Sequence, residues 1–589
     1  MKRSELNRVY EGKRKADLII QGGTLVNVLS KEMYQADVAI VEDRIVSTGD
    51  VSPYKGSDTK ILDATGKYIA PGFIDGHIHP ESSNLSMRGF AKILLQHGTT
   101  SIMTDLHEIG VVCGLEGIEA TLEEAKQTDL SLYFVVPSHV PFSPNMETSG
   151  GQFDASIIDK ALQREDAVGL SEIVAPYVTM GYPDLLEAME MTQKAGKSLQ
   201  GHLPETTGQA LDTCLGLGVV TDHESLSTEE ALEKIRKGCH IMMREGSAAR
   251  NLPDLSKLIT EYKVDSTLCS IVTDDLHTID VVDRGHLDDS LRTAISLGID
   301  FLTAVQMITI NPARCFHLDW EIGSIAPGKF ADITILDSTE SPKVTDVISR
   351  GKIIVKDSAT CVDYPIVKHD QILQHTITIP NGKINPSDLG ITVDPKAKSA
   401  KVLGMRTLDW IPITFAQEGE LPVRDGFIQA DIDQDLLLIA QVERYGKNGN
   451  IGKAFMAGFN LKQGAMASSV AHDNHNIIVL GTNLEDMALA VNRVAELEGG
   501  QVMVVNGKVI EEIAYPICGL LTDLDAEELA ERKKSLIKAS QDAGSKIGFP
   551  FLFLSFIGLA AIPEYAITDK GFIDVLKQEI IDPVISLQY

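Results

Sequence analysis

The chain has 589 residues, 43% of them hydrophobic and 23% charged, and 53 Lys+Arg against 83 Asp+Glu give a formal net charge of −30. Such a length holds about three or four domains with sizeable cores, and the composition excludes a disordered or fibrous chain. No basic face offsets the acidity, so nucleic acid is excluded as a partner on charge.

The first fifteen residues are charged and lack the apolar core of a signal peptide. Ala16-Asp17-Leu18-Ile19-Ile20, residues 22–28 and residues 36–46 are short β-branched runs broken by Gly and Asp, which predicts strands and hairpins. From 71 to 318 the pattern alternates. Apolar strands end in polar residues at 74–79, 101–107, 132–139, 167–172, 198–202, 219–223, 240–244 and 266–274, and helical stretches such as 114–128 and 228–237 lie between them. Eight βα units over about 250 residues predict a closed TIM-type (β/α)8 barrel. A second strand-rich patch follows at 323–336 and 344–357. Residues 1–70 plus 319–384 are therefore expected to form one small β-sandwich domain around the barrel of 71–318. Residues 385–589 are expected to form a C-terminal α/β domain, with an amphipathic helix at 484–497 and a hairpin over 501–511 turning at Asn506-Gly507. The apolar run 547–562, punctuated by Pro550 and Gly558 and bounded by Pro563, is too short for a membrane span and reads as a buried segment. No membrane partner is expected.

Seven single cysteines without a CxxC read as reduced thiols, which points to a cytoplasmic setting. The barrel makes a demand: catalytic groups belong at the C-terminal ends of its strands. Asp75-Gly76-His77-Ile78-His79 ends the first, and two His two residues apart on a strand share a face and chelate one ion. Glu172, His202, His223 and Asp274 end the fourth, fifth, sixth and eighth. Imidazoles with carboxylates suit a divalent transition metal. His107 and Glu108 end the second strand, where they either face substrate and relay a proton or cap a helix. Asp275 and His277 follow Asp274 as groups that orient a ligand. His472, Asp473 and His475 form either a turn before the strand 477–481 or a loop that reaches the barrel mouth to contact substrate or an extra metal.

The segment Ile69-Ala70-Pro71-Gly72-Phe73-Ile74-Asp75-Gly76-His77-Ile78-His79 resembles the signature of the amidohydrolase superfamily. More narrowly, the chain is similar to the adenine deaminases of bacteria and archaea through Pro80-Glu81-Ser82-Ser83, Met243-Arg244-Glu245-Gly246-Ser247, Gly285-His286-Leu287-Asp288 and Ser468-Ser469-Val470-Ala471-His472-Asp473-Asn474-His475-Asn476. The resemblance covers nearly the whole chain. It implies two divalent ions, Mn or Fe rather than Zn, with His77, His79 and Asp274 on one and His202 and His223 on the other. Glu172 takes the bridging place that a carbamylated lysine fills in many relatives. It further implies catalysis by Asp274, Glu172 and His107: Asp274 accepts the proton of an activated water that attacks C6 of adenine, ammonia leaves, and hypoxanthine remains. Substrate contacts are expected from Glu108, Asp275, His277, His472, Asp473 and His475. The implied partner is a small purine base, and a homo-oligomer is compatible with this reading.

One stretch departs from the family. An Asn-Phe-Pro-Gly-like loop is expected after Glu172, and Ile173-Val174-Ala175-Pro176-Tyr177 stands there instead. A cyclic-amide hydrolase of dihydropyrimidinase type on the same two-metal barrel is the second enzymatic reading. A catalytically silent scaffold ranks last because all six metal-ligand positions are intact.

Overall fold

The computed structural model describes residues 3–408, 411–561 and 564–589. Eight parallel strands carry the site: β1 (Phe73–Asp75), β2 (Thr99–Thr104), β3 (Ser131–Pro137), β4 (Ala167–Val174), β5 (Ser198–His202), β6 (Thr221–Asp222), β7 (His240–Arg244) and β8 (Cys269–Val272). The first five form one sheet and the last three another, each in chain order. The Val220 amide donates to Leu199 O at 2.9 Å and joins the two sheets at β5 and β6. At the other seam Asp274–Asp275 pairs in parallel with Ile78–His79, and the Asp274 amide donates to His77 O at 3.0 Å. The two curled sheets thus meet end to end, as the (β/α)8 reading expects.

Close strand approach selects glycine at one point on β4. A Cβ on Gly169 would stand 2.6 Å from Ser198 O on the neighbouring strand. Helices His107–Ala125, Ala155–Leu162, Pro183–Lys194, Gly208–Gly216, Thr228–Arg236 and Leu287–Ser296 cover the outside. Their apolar faces bury Ile118, Leu162, Ala188, Leu211, Ala231 and Leu291 against the strands.

Before and after the barrel, two further sheets face each other. Ile333–Leu336 pairs antiparallel with Tyr68–Pro71, so a strand from beyond the barrel completes a sheet begun before it. Leu18, Ile20, Val38 and Ile40 of one sheet pack with Leu25, Ile69, Ile333 and Ile348 of the other. The C-terminal part is mostly strands. One large mixed sheet runs through Leu437–Val442, Ile477–Gly481 and Ala465–Ser468, and Val584–Gln588 returns to pair with Ser399–Leu408. Helix Leu484–Glu496 lies on it, and Gly500–Val505 with Lys508–Ala514 forms the hairpin around Asn506-Gly507, both with positive φ as a type I′ turn needs.

Within the apolar run, helix Pro550–Phe556 buries Phe551 and Leu554. Ile562 and Pro563, which end that run, lie outside the described residues, as do Met1 and Lys2 of the charged N-terminal stretch. Among the described residues no helix is long and apolar enough to cross a membrane.

Candidate metal centre

Glu172 and Asp274 reach inward because the backbone turns there. The β4–β5 register shifts between Leu170 and Ile173, and Glu172 sits at φ 55°. Asp274 sits at φ 59°. A left-handed conformation in a residue with a Cβ costs on the order of 1 kcal/mol, and it persists where the surroundings over-determine it.

The six expected ligands converge at one rim. His77 Nε2 lies 3.4 Å from Glu172 Oε1 and 3.4 Å from Asp274 Oδ1. His79 Nε2 lies 3.5 Å from the same Asp274 oxygen. On the opposite side His202 Nδ1 stands 2.8 Å from Glu172 Oε2, and His223 Nε2 stands 3.6 Å from Glu172 Oε1. The Glu172 carboxylate therefore lies between two histidine pairs, the position a bridge requires. The ligating atoms of His77, His79 and Asp274 lie within 4.8 Å of one another, as do those of His77, Glu172 and His223. His77 Nε2 and His202 Nδ1 are buried without a hydrogen-bond partner among the described residues. Orphaned imidazole nitrogens facing shared carboxylates are the donor set that a divalent transition metal completes, so the residues fit the implied group.

The electrostatics follow from packing so many groups together. Burial disfavours charge on Glu172, yet His223 and His202 beside it hold its carboxyl well below the ordinary range. Burial likewise opposes charge on Asp274, and His77 and Arg244 outweigh it. Burial lowers His202, but Glu224 and Glu172 bring it up to about 9; His223, buried and stacked on His77, falls to about 3.

Four neighbours were not singled out from the sequence. Asp105 Oδ1 lies 3.2 Å from His79 Nδ1 and orients that ring from behind. Glu224 Oε1 lies 3.4 Å from His223 Nε2, and Arg244 Nη1 donates to Asp274 Oδ2 at 3.0 Å while its fork also grips Glu224. Buried Glu81 is pushed up to about 8. Asp105 and Glu224 resemble helix caps when read along the chain. Only the strand-end rule, applied to every strand, points to them.

The remaining candidates divide. Both ring nitrogens of His107 are buried and unpartnered among the described residues. Asp275 accepts from Ser82 Oγ. His277 caps helix Thr278–Asp283, accepting from the Ile279 amide at 3.3 Å, and packs on Phe549, so it is not among the converging groups. The 472–475 loop does reach the barrel: His472 Nδ1 donates to Glu108 Oε1 at 2.9 Å, and His475 Nε2 donates to the other Glu108 oxygen. The Ala471 amide donates to His475 Nδ1 at 3.2 Å, so the proton of the neutral ring sits on Nε2. In that tautomer His475 donates to Glu108, and the ligand atoms of Glu108, His472 and His475 lie within 4.8 Å of one another, close enough for the three to hold a cation as well. Asp473 lies in the same buried loop, its carboxyl pushed well up by burial and Glu108.

Comparison with known proteins gives a consistent result. The amidohydrolase family profile matches residues 68–354, and that of the adenine deaminase C-terminal domain matches 412–579. The chain is 37% identical over 584 residues to adenine deaminase 1 of Desulfotalea psychrophila, covering 99% of this chain and 98% of that one. It is 39% identical to an adenine deaminase of Clostridium botulinum (98% and 96% covered) and 36% identical to that of Moorella thermoacetica (98% and 97%).

Proposed function

The chain belongs to the adenine deaminase family of amidohydrolases, and from that premise we propose that it hydrolyses adenine to hypoxanthine and ammonia at the rim just described. The position of the Glu172 carboxylate between two histidine pairs is the observation that carries the mechanism. His77, His79, Glu172, His202, His223 and Asp274 would hold the divalent cations, with the Glu172 carboxylate placed to serve both histidine pairs. Mn or Fe is preferred to Zn on the family resemblance. Bound there, such cations supply Lewis acidity that brings the pKa of water from about 15.7 toward 7.

The chain's own groups do the rest. Asp274 takes a proton from the attacking water and returns it to the departing nitrogen, with Arg244 holding the carboxylate in place at 3.0 Å. As water adds at C6, its two protons end on N1 and on the departing nitrogen, the second leaving the new hydroxyl as C6=O forms and the C6–N bond breaks, so one water is consumed and one ammonia released. His107, whose two ring nitrogens have no partner among the described residues, would be available to meet the substrate. The 472–475 loop holds the Glu108 carboxylate through His472 and His475. The same reading favours a cytoplasmic enzyme, in keeping with seven free cysteines.

The test is ammonia release from adenine by metal-loaded protein, with adenosine, cytosine and dihydrouracil as comparison substrates. Turnover of adenine above the others is expected. Turnover of dihydrouracil alone would overturn the assignment.

A further inference from the structure

Beside the metal rim, at the end of β3, stands a histidine that no step above uses. His139 lies among His107, Glu172, His202 and Asp105, the site groups whose charges act on it. Its ring faces Phe142, with centroids 4.8 Å apart, and Tyr177, at 5.5 Å. Phe142 in turn lies 6.5 Å from the His202 ring and 6.4 Å from that of His107. The Tyr177 hydroxyl donates to Phe142 O at 3.0 Å and pins this loop. Tyr177 belongs to the stretch after Glu172 that the sequence reading marks as a departure from the expected loop.

The hydrogen bonding fixes the His139 tautomer. Ser138 Oγ lies 2.9 Å from Glu172 O, and a carbonyl only accepts, so the single hydroxyl proton of Ser138 is spent there. At 2.6 Å from His139 Nδ1 the same oxygen is therefore an acceptor, and Nδ1 carries the ring proton. Nε2 is left as a bare lone pair, buried and without a partner among the described residues. A buried acceptor with nothing to accept is costly unless a ligand supplies the donor.

Resting on the adenine reading above, we propose that His139 Nε2 accepts a hydrogen bond from the N–H of the purine's five-membered ring, with Phe142 as the flanking wall, and so selects free bases over N-substituted ones. Neutral adenine offers N–H groups only at its amine and in that ring. The amine must be protonated to leave, so a permanent acceptor opposite it opposes the reaction. The ring N–H survives in the product and is absent from nucleosides and from 9-methyladenine.

The experiment compares wild type with His139→Phe and His139→Gln on adenine and 9-methyladenine, alongside nitrogen NMR of histidine-labelled protein. His139→Phe removes the acceptor and should lower kcat/KM on adenine about tenfold to a hundredfold. It should also shrink the preference for adenine over 9-methyladenine, with metal content unchanged. His139→Gln, whose Oε1 falls near the Nε2 position, should recover most of the loss. In wild type the His139 signals should report a protonated Nδ1 and a bare Nε2, with Nε2 shifting when adenine binds. A His139→Phe enzyme within twofold of wild type overturns the proposal, and so does an Nε2-protonated ring. Wild-type silence on adenine instead overturns the parent reading, and with it the purine as partner; the NMR result then still decides the lone pair.

Discussion

Lys234 has no exposed surface, although it is a lysine on helix Thr228–Arg236. Its ammonium donates to Leu203 O at 2.7 Å, Asp222 Oδ2 at 2.9 Å, Ser225 Oγ at 3.0 Å and Glu230 Oε1 at 2.6 Å. Asp222 in turn accepts from the amides of Leu203 at 3.0 Å, Glu224 at 3.1 Å and Ser225 at 2.9 Å. The pair thus ties together the segments that carry His202, His223 and Glu224. Lys234→Met keeps the apolar stem and removes the charge, leaving Asp222 buried with only dipolar donors. Breaking one side of a buried pair costs about 3–5 kcal/mol. The retained amide donors place this case near the lower end, at about 3 kcal/mol. At about 2–4 °C per kcal/mol for a unit of barrel size, the calorimetric midpoint should fall by about 6–12 °C. The Asp222 carboxyl is held below its ordinary value, so its contribution is complete above about pH 4 and is lost only as pH falls through the depressed value. The Lys234→Met penalty should therefore be flat from pH 5 to 8. The double variant with Asp222→Asn should be less destabilised than the sum of the singles. A midpoint within 2 °C of wild type, or strict additivity, refutes the reasoning.

Other outcomes follow from the same structure. Asp274→Asn should lower kcat on adenine by about 10²–10⁴-fold while keeping most metal by elemental analysis; unchanged turnover would assign the proton transfer to another group. Glu172→Gln should reduce occupancy of both ions together, and full retention of either removes it from the bridge. His472→Ala and His475→Ala each leave Glu108 short of a partner and should lower kcat/KM about tenfold, whereas unchanged constants make the loop structural only. His369 lies between Asp523 at 2.7 Å and Glu124 at 2.9 Å, and these hydrogen bonds raise its pKa to about 10. Its contribution is thus complete below about pH 6.5 and lost as pH rises toward 10, so the melting-point gap to His369→Gln should close over that range.

The eight barrel strands were legible because each is a short apolar run closed by a polar residue, and the active-face rule converts that pattern into a site. His77, His79, Glu172, His202, His223 and Asp274 all meet where the rule puts them. Asp105 and Glu224 escaped because one acid after a strand looks like any helix cap, and Arg244 because a strand-end arginine carries no metal-ligand signature. Nothing in one dimension announces that β4 shifts register at Glu172, or that Ser138 spends its proton on a neighbouring carbonyl and bares His139. The C-terminal sheet hid for another reason: Val584–Gln588 pairs with Ser399–Leu408 across a long intervening stretch, and pairing at that separation leaves no periodic trace.

Metal titration of stripped protein against ammonia release from adenine puts the whole scheme at stake. Activity should be absent at zero metal and rise to a plateau at two divalent ions per chain, with that plateau lost when His202 and His223 are both replaced by alanine. A full rate with one ion, or one that survives loss of both histidines, would contradict it.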